Sequence, residues 1–93
     1  MLDVTRAYGL DFLFPVGDTA VGLSLREHGE FARPEVDLVC LLARGTFVDV
    51  GANIGAIALP AAAARPDLKV VAAEAHRGLA GLLAANTHGN HLD

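Results

Sequence analysis

From residue 46 the chain reads Thr46-Phe47-Val48-Asp49-Val50-Gly51-Ala52-Asn53-Ile54-Gly55, a strand pattern that runs straight into a glycine loop. Beyond it, Ala56 to Ala64 is built almost wholly of Ala, Leu and Ile, which predicts a helix. Arg65-Pro66-Asp67 stops that helix before a second apolar run, Leu68 to Ala73. Both runs are apolar at successive positions, the pattern of strands covered on both faces in a parallel sheet. Strands alternating with helices pair in parallel through right-handed crossovers. Residues 46–50 and 68–73 are therefore predicted neighbours in an α/β sheet. Pro60 falls inside the predicted helix, where it should remove one backbone hydrogen bond and bend the axis.

The flanking segments extend this pattern. Leu10 to Phe14 and Ala20 to Leu25 read as two short strands joined through Pro15-Val16-Gly17-Asp18, a predicted β-hairpin. Pro34 suits a first helical turn, and Val36, Val39, Cys40 and Ala43 recur at helical spacing before Gly45, which could cap the helix. Leu79, Leu82 and Leu83 share one face of a final helix over residues 78–86, and the turn-like run Thr87 to Asp93 follows. The predicted organisation is an N-terminal hairpin region, residues 1–28, and the first part of a sheet domain, residues 29–93. Two central strands leave a parallel sheet short of neighbours and cover. The chain is therefore expected to be a truncated or partial form of a larger doubly wound domain, prone to self-association through uncovered sheet edges.

Charge and composition exclude several functions. Eleven acidic against seven basic residues give a net charge of −4 without a basic cluster, unsuited to neutralising nucleic-acid phosphates. No apolar run approaches the ~18 residues of a membrane span, and the N-terminus lacks the pattern of an export signal. The single cysteine, Cys40, cannot form an internal disulfide and sits in an apolar run, which points to a core position and a cytoplasmic setting. His88 and His91 lack partners at a metal-ligand spacing and read as exposed polar residues. No metal site is predicted.

The glycine loop carries the chemistry. At the carboxyl end of a buried strand, glycines let the backbone turn sharply and approach a ligand, and such sheets bind nucleotides there. A dinucleotide fingerprint needs glycine at the first, third and sixth loop positions. Here the sixth is Ala56, which is tolerated, but the third is Asn53, whose side chain crowds the place of the pyrophosphate. An S-adenosylmethionine site instead calls for a carboxylate two residues before the first glycine, where Asp49 stands. A carboxylate repels a pyrophosphate and attracts a ligand carrying an ammonium and a sulfonium. Glu74, about twenty residues past the first glycine at the end of the next strand, is placed to accept both ribose hydroxyls. A dinucleotide-binding oxidoreductase fragment is thereby disfavoured.

The run Phe47-Val48-Asp49-Val50-Gly51-Ala52-Asn53-Ile54-Gly55-Ala56 resembles motif I of the FkbM family of S-adenosylmethionine-dependent methyltransferases. The likeness extends back to Gly29-Glu30-Phe31-Ala32-Arg33-Pro34-Glu35 and forward through Val70-Val71-Ala72-Ala73-Glu74 to the helix ending at Asn86, roughly two-thirds of the chain. It implies a partial Rossmann-like class I methyltransferase fold, with Asp49, Gly51, Asn53 and Gly55 lining the methionine end of the cofactor and Glu74 holding the ribose. It also implies O-methylation of a small-molecule or sugar hydroxyl. The acceptor pocket and any general base would come from later strands, so no catalytic residue is assigned. One departure is the absence of the family's proline after the glutamate, replaced by Ala75-His76-Arg77. A noncatalytic remnant that keeps or has lost adenosyl-ligand binding is the alternative.

Overall fold

Tyr8 and Gly9 both take positive φ, 54° and 73°, the twist that lets a two-residue turn join antiparallel strands. Across this turn β1 (Leu2–Ala7) pairs with β2 (Leu10–Pro15), from Ala7 opposite Leu10 to Leu2 opposite Pro15. The coordinates are a computed structural model describing all of residues 1–93. The hairpin thus differs from the sequence expectation: Leu10–Phe14 pairs backward along the chain, and the second expected strand, Ala20–Leu25, lies mostly in helix α1 (Val21–His28). Val21, Leu23 and Leu25 alternate as a strand would, but Val21 and Leu25 also stand one helical turn apart, and in the fold Gly22 and Leu25, three residues apart, form the buried face of the helix. The Phe14 ring packs so closely against Gly22 that a Cβ there would overlap it.

Helix α2 (Arg33–Leu42) starts with Pro34 in its first turn and ends on Ala43 in an extended conformation, so Gly45 does not cap it. Gly45, at φ 71°, instead begins the sheet: its carbonyl accepts the Lys69 N–H at 2.8 Å. Strand β3 (Thr46–Val50) then pairs in parallel with β4 (Lys69–Ala73), Thr46 opposite Lys69 and Val50 opposite Ala73. The crossover between them is α3 (Ala58–Ala64). Pro60 is the third residue of α3, within its first turn, and the N–H groups on either side, of Leu59 and Ala61, donate to the Gly55 and Ile57 carbonyls at 3.0 and 3.2 Å, so the one bond missing is that of Pro60 itself. Helix α4 (Arg77–Gly89) is longer than predicted and takes in Thr87, His88 and Gly89. His76 caps it, Nδ1 accepting the Leu79 N–H at 3.2 Å.

The fold is α/β: four helices, one antiparallel strand pair and one parallel pair. One core joins the two ends of the chain. Ala7, Phe12, Phe14 and Leu25 from the hairpin and α1 pack with Ile54 and Ala56 of the glycine loop and Leu59 of α3. The parallel pair is covered on one face only. Val70 and Ala72 face the groove beside α3, and the register puts Phe47 and Asp49 on that side. On the other face Val48, Val50 and Val71 are 55%, 82% and 40% exposed, which corrects the expectation of strands buried on both faces. No helix is long and apolar enough to cross a membrane.

Candidate functional site

The loop after β3 reverses direction through three residues at positive φ, Gly51 (80°), Asn53 (56°) and Gly55 (98°). The two glycines are needed for different reasons. A Cβ on Gly51 would meet nothing within 4 Å, so only its backbone conformation excludes other residues. A Cβ on Gly55 would lie 2.8 Å from Leu59 and 3.1 Å from Leu83. Gly55 is therefore where α3 and α4 close on the loop. Asn53 tolerates its left-handed conformation because a short polar side chain can bond locally, and its Oδ1 accepts the Ile54 N–H at 2.9 Å.

Every backbone N–H from Gly51 to Gly55 has an acceptor within the chain. Those of Gly51 and Ala52 converge on the Ala73 carbonyl at 2.8 and 3.0 Å, and that of Gly55 reaches the Ala52 carbonyl at 2.9 Å. The Asn53 N–H donates to Glu74 Oε1 at 2.8 Å. The other Glu74 oxygen, Oε2, accepts the His76 N–H at 2.9 Å. Glu74 thus ties the glycine loop to the segment that starts α4. These bonds, first that from His76 and then that from Asn53, hold its carboxyl below the usual glutamate range. Each oxygen keeps a further lone-pair direction for a ligand hydroxyl.

Acceptors outnumber free donors here. The carbonyls of Gly51 and Asn53 accept no backbone hydrogen bond. Asp49 is half-buried at the end of β3, and its carboxyl is pushed up from the usual aspartate value by burial alone, with no hydrogen bond or neighbouring cation to offset it. A carboxylate in that state gains most from an arriving cation.

The structure therefore brings Asp49, Gly51, Asn53, Gly55 and Glu74 to one end of the parallel pair. An open groove of about 670 Å³, walled by α3 and α4 and floored by Val70 and Ala72, reaches this end of the pair at Glu74; Asp49, Gly51, Asn53 and Gly55 do not line it. Glu30 is not brought to the loop; it pairs with Arg33 at 3.2 Å. Cys40 is half-buried, short of the full core position expected. His88 pairs with Asp93 at 2.9 Å, and no group of three metal-ligating side chains converges anywhere.

Sequence reasoning missed Asn86 as more than a helix end. It is 2% exposed and its Nδ2 donates to the Ile54 carbonyl in the loop at 3.0 Å. The signal was its place three residues after Leu83, on the apolar face that also carries Leu79 and Leu82: a carboxamide there must find buried partners. Comparison of the chain with protein-family models, with curated proteins and with solved structures returns no match.

Proposed function

We propose that this chain is the cofactor-binding part of an S-adenosylmethionine-dependent methyltransferase of FkbM type, with a partial Rossmann-like class I fold. The observation that carries the reading is the polarity of the loop. Its amides from residue 51 to 55 are already bonded, its Gly51 and Asn53 carbonyls accept no backbone bond, and the Asp49 carboxyl beside it is uncompensated. A pyrophosphate seeks free N–H donors at such a turn. An amino-acid ammonium seeks carbonyls and a carboxylate, which this loop offers.

In this reading Asp49 attracts the ammonium of the methionine moiety, and the left-handed turns at Gly51, Asn53 and Gly55 keep the loop backbone close to the ligand. Glu74 receives the ribose hydroxyls on the lone pairs that Asn53 and His76 leave free. The bound cofactor supplies an activated methyl group for direct displacement from sulfur. The chain's own contribution is orientation, which accounts for much of the acceleration of such transfers. The acceptor is a small-molecule or sugar hydroxyl, held by parts of the domain beyond these two strands. The bare face of Val48, Val50 and Val71 supports the partial-domain reading, and a lone, unpaired Cys40 suits a cytoplasmic setting.

Isothermal calorimetry with S-adenosylmethionine, S-adenosylhomocysteine and NAD tests the assignment. Both adenosyl amino acids should bind more tightly than NAD, and Gly51→Val should abolish the difference, because a β-branched residue is strained at φ 80°. Tighter binding of NAD would overturn the reading.

A further inference from the structure

Two asparagines, Asn86 of α4 and Asn90 at its C-cap, do the work of a missing strand. Asp11 and Leu13 stand opposite Arg6 and Val4, and their N–H and C=O groups point out from the free edge of β2, as alternate residues of an antiparallel edge must. Asn86 meets Leu13: Oδ1 accepts its N–H at 2.7 Å and Nδ2 donates to its carbonyl at 3.1 Å. One turn later Asn90 meets Asp11 in the same way, at 2.9 and 2.8 Å. A carboxamide carries a donor and an acceptor as a peptide unit does. Four residues of helix rise about 6 Å and two of strand about 6.6 Å, so the two side chains match the repeat of the edge.

The two asparagines differ in one respect. The second hydrogen of Asn90 Nδ2 goes to the Asn86 carbonyl in its own helix, at 2.8 Å. That of Asn86 goes to the Ile54 carbonyl, at 3.0 Å. Ile54 lies between the left-handed residues Asn53 and Gly55, and its side chain is fully buried in the hairpin core. Asn86 therefore joins the hairpin edge, α4 and the turn of the glycine loop through one buried group.

We propose that Asn86 is a positioning residue for the cofactor loop, fixing the Ile54 carbonyl relative to the hairpin so that ligand affinity depends on hairpin docking that never touches the ligand. The proposal rests on the adenosyl-cofactor reading for its consequence, and on the hydrogen bonds alone for the coupling. Asn86→Asp keeps the acceptor for Leu13 and removes both donated bonds. Asn90→Asp makes the same change at β2 without touching the loop.

Hydrogen–deuterium exchange and calorimetry with S-adenosylhomocysteine on the 93-residue chain test it. In Asn86→Asp, exchange at residues 51–57 should rise roughly tenfold and affinity fall roughly tenfold, the scale of losing a buried hydrogen bond. In Asn90→Asp, faster exchange should stay within residues 10–15 and affinity within about twofold. If both variants lose affinity in proportion to their loss of melting temperature, Asn86 is only structural and the proposal fails. Should the wild-type chain bind no adenosyl ligand, the cofactor reading fails, and exchange at residues 51–57 alone decides the coupling: no change in Asn86→Asp overturns it. Should Asn86→Asp not fold, Asn86→Gln, which keeps both groups on a longer arm, is held to the same comparison.

Discussion

The hairpin and the parallel pair are each two strands long, yet only the hairpin has a fully buried face; its other face leaves Leu2 and Val4 52% and 55% exposed. Phe12 and Phe14 of β2 are buried against α1, the glycine loop and α3, and the outer edge of β2 is met by Asn86 and Asn90. In the parallel pair, Val48, Val50 and Val71 form an apolar face that no element covers. Alternation of apolar residues therefore does not decide burial; what packs against the strand does. The candidate site lies between these regions, and the buried face of the hairpin holds it in place: Ile54 and Ala56 of the loop are part of the hairpin core.

The sharpest way to break this contrast is to truncate one side chain in each region. Phe12→Ala should cost about 3–5 kcal/mol and lower the melting temperature by more than ~10 °C. Val50→Ala should change stability by no more than ~0.5 kcal/mol. Thermal unfolding followed by circular dichroism reads both, and equal losses would show that the parallel pair is covered in solution.

A smaller effect is expected at the junction. Glu74→Gln leaves one oxygen to serve two backbone N–H groups and should weaken S-adenosylhomocysteine binding roughly tenfold, as the loss of a charge-assisted bond does. Because the folded carboxyl titrates below the ordinary glutamate value of 4.5, its hold on the loop is complete above that pH and is lost as pH falls through the lower folded value. Amide exchange at Asn53 and His76, corrected for the intrinsic pH dependence, should lose protection in that acid window. In Glu74→Gln that acid step should vanish.

The smallest change in stability, with the clearest change in solution behaviour, is expected on the bare face. Val50→Lys should leave the melting temperature nearly unchanged and shift the chain from concentration-dependent association to monomer in sedimentation, since a charge breaks an apolar docking face. A chain that is monomeric before the substitution would show that the valine face is not adhesive.

The parallel pair, the glycine loop and the gathering of Asp49, Gly51, Asn53, Gly55 and Glu74 at one end of that pair were legible because a strand, a tight turn and a helix each leave a local pattern. Two features were not. Residues 20–25 fit both patterns, since Val21, Leu23 and Leu25 alternate as in a strand while Val21 and Leu25 stand one helical turn apart, and the close packing of Gly22 against Phe14 goes with the helix. Glu74 reads in sequence as a ligand-facing acid, whereas half of its bonding capacity organises the loop. That role depends on two backbone N–H groups that only the folded chain brings to its two oxygens.

Asp49 offers the most direct test, because stability and binding should move in opposite directions there. Burial raises its carboxyl pKa above the usual 3.8. The folded state therefore holds that proton more tightly, and stability declines as pH rises from 3.8 through the folded value. At neutral pH Asp49→Asn should give a small rise in melting temperature and at the same time a loss of S-adenosylmethionine affinity of about tenfold or more. Measured together on one preparation, higher stability with weaker binding is the result the cation-seeking loop predicts. Unchanged affinity in the stabilised variant would contradict it.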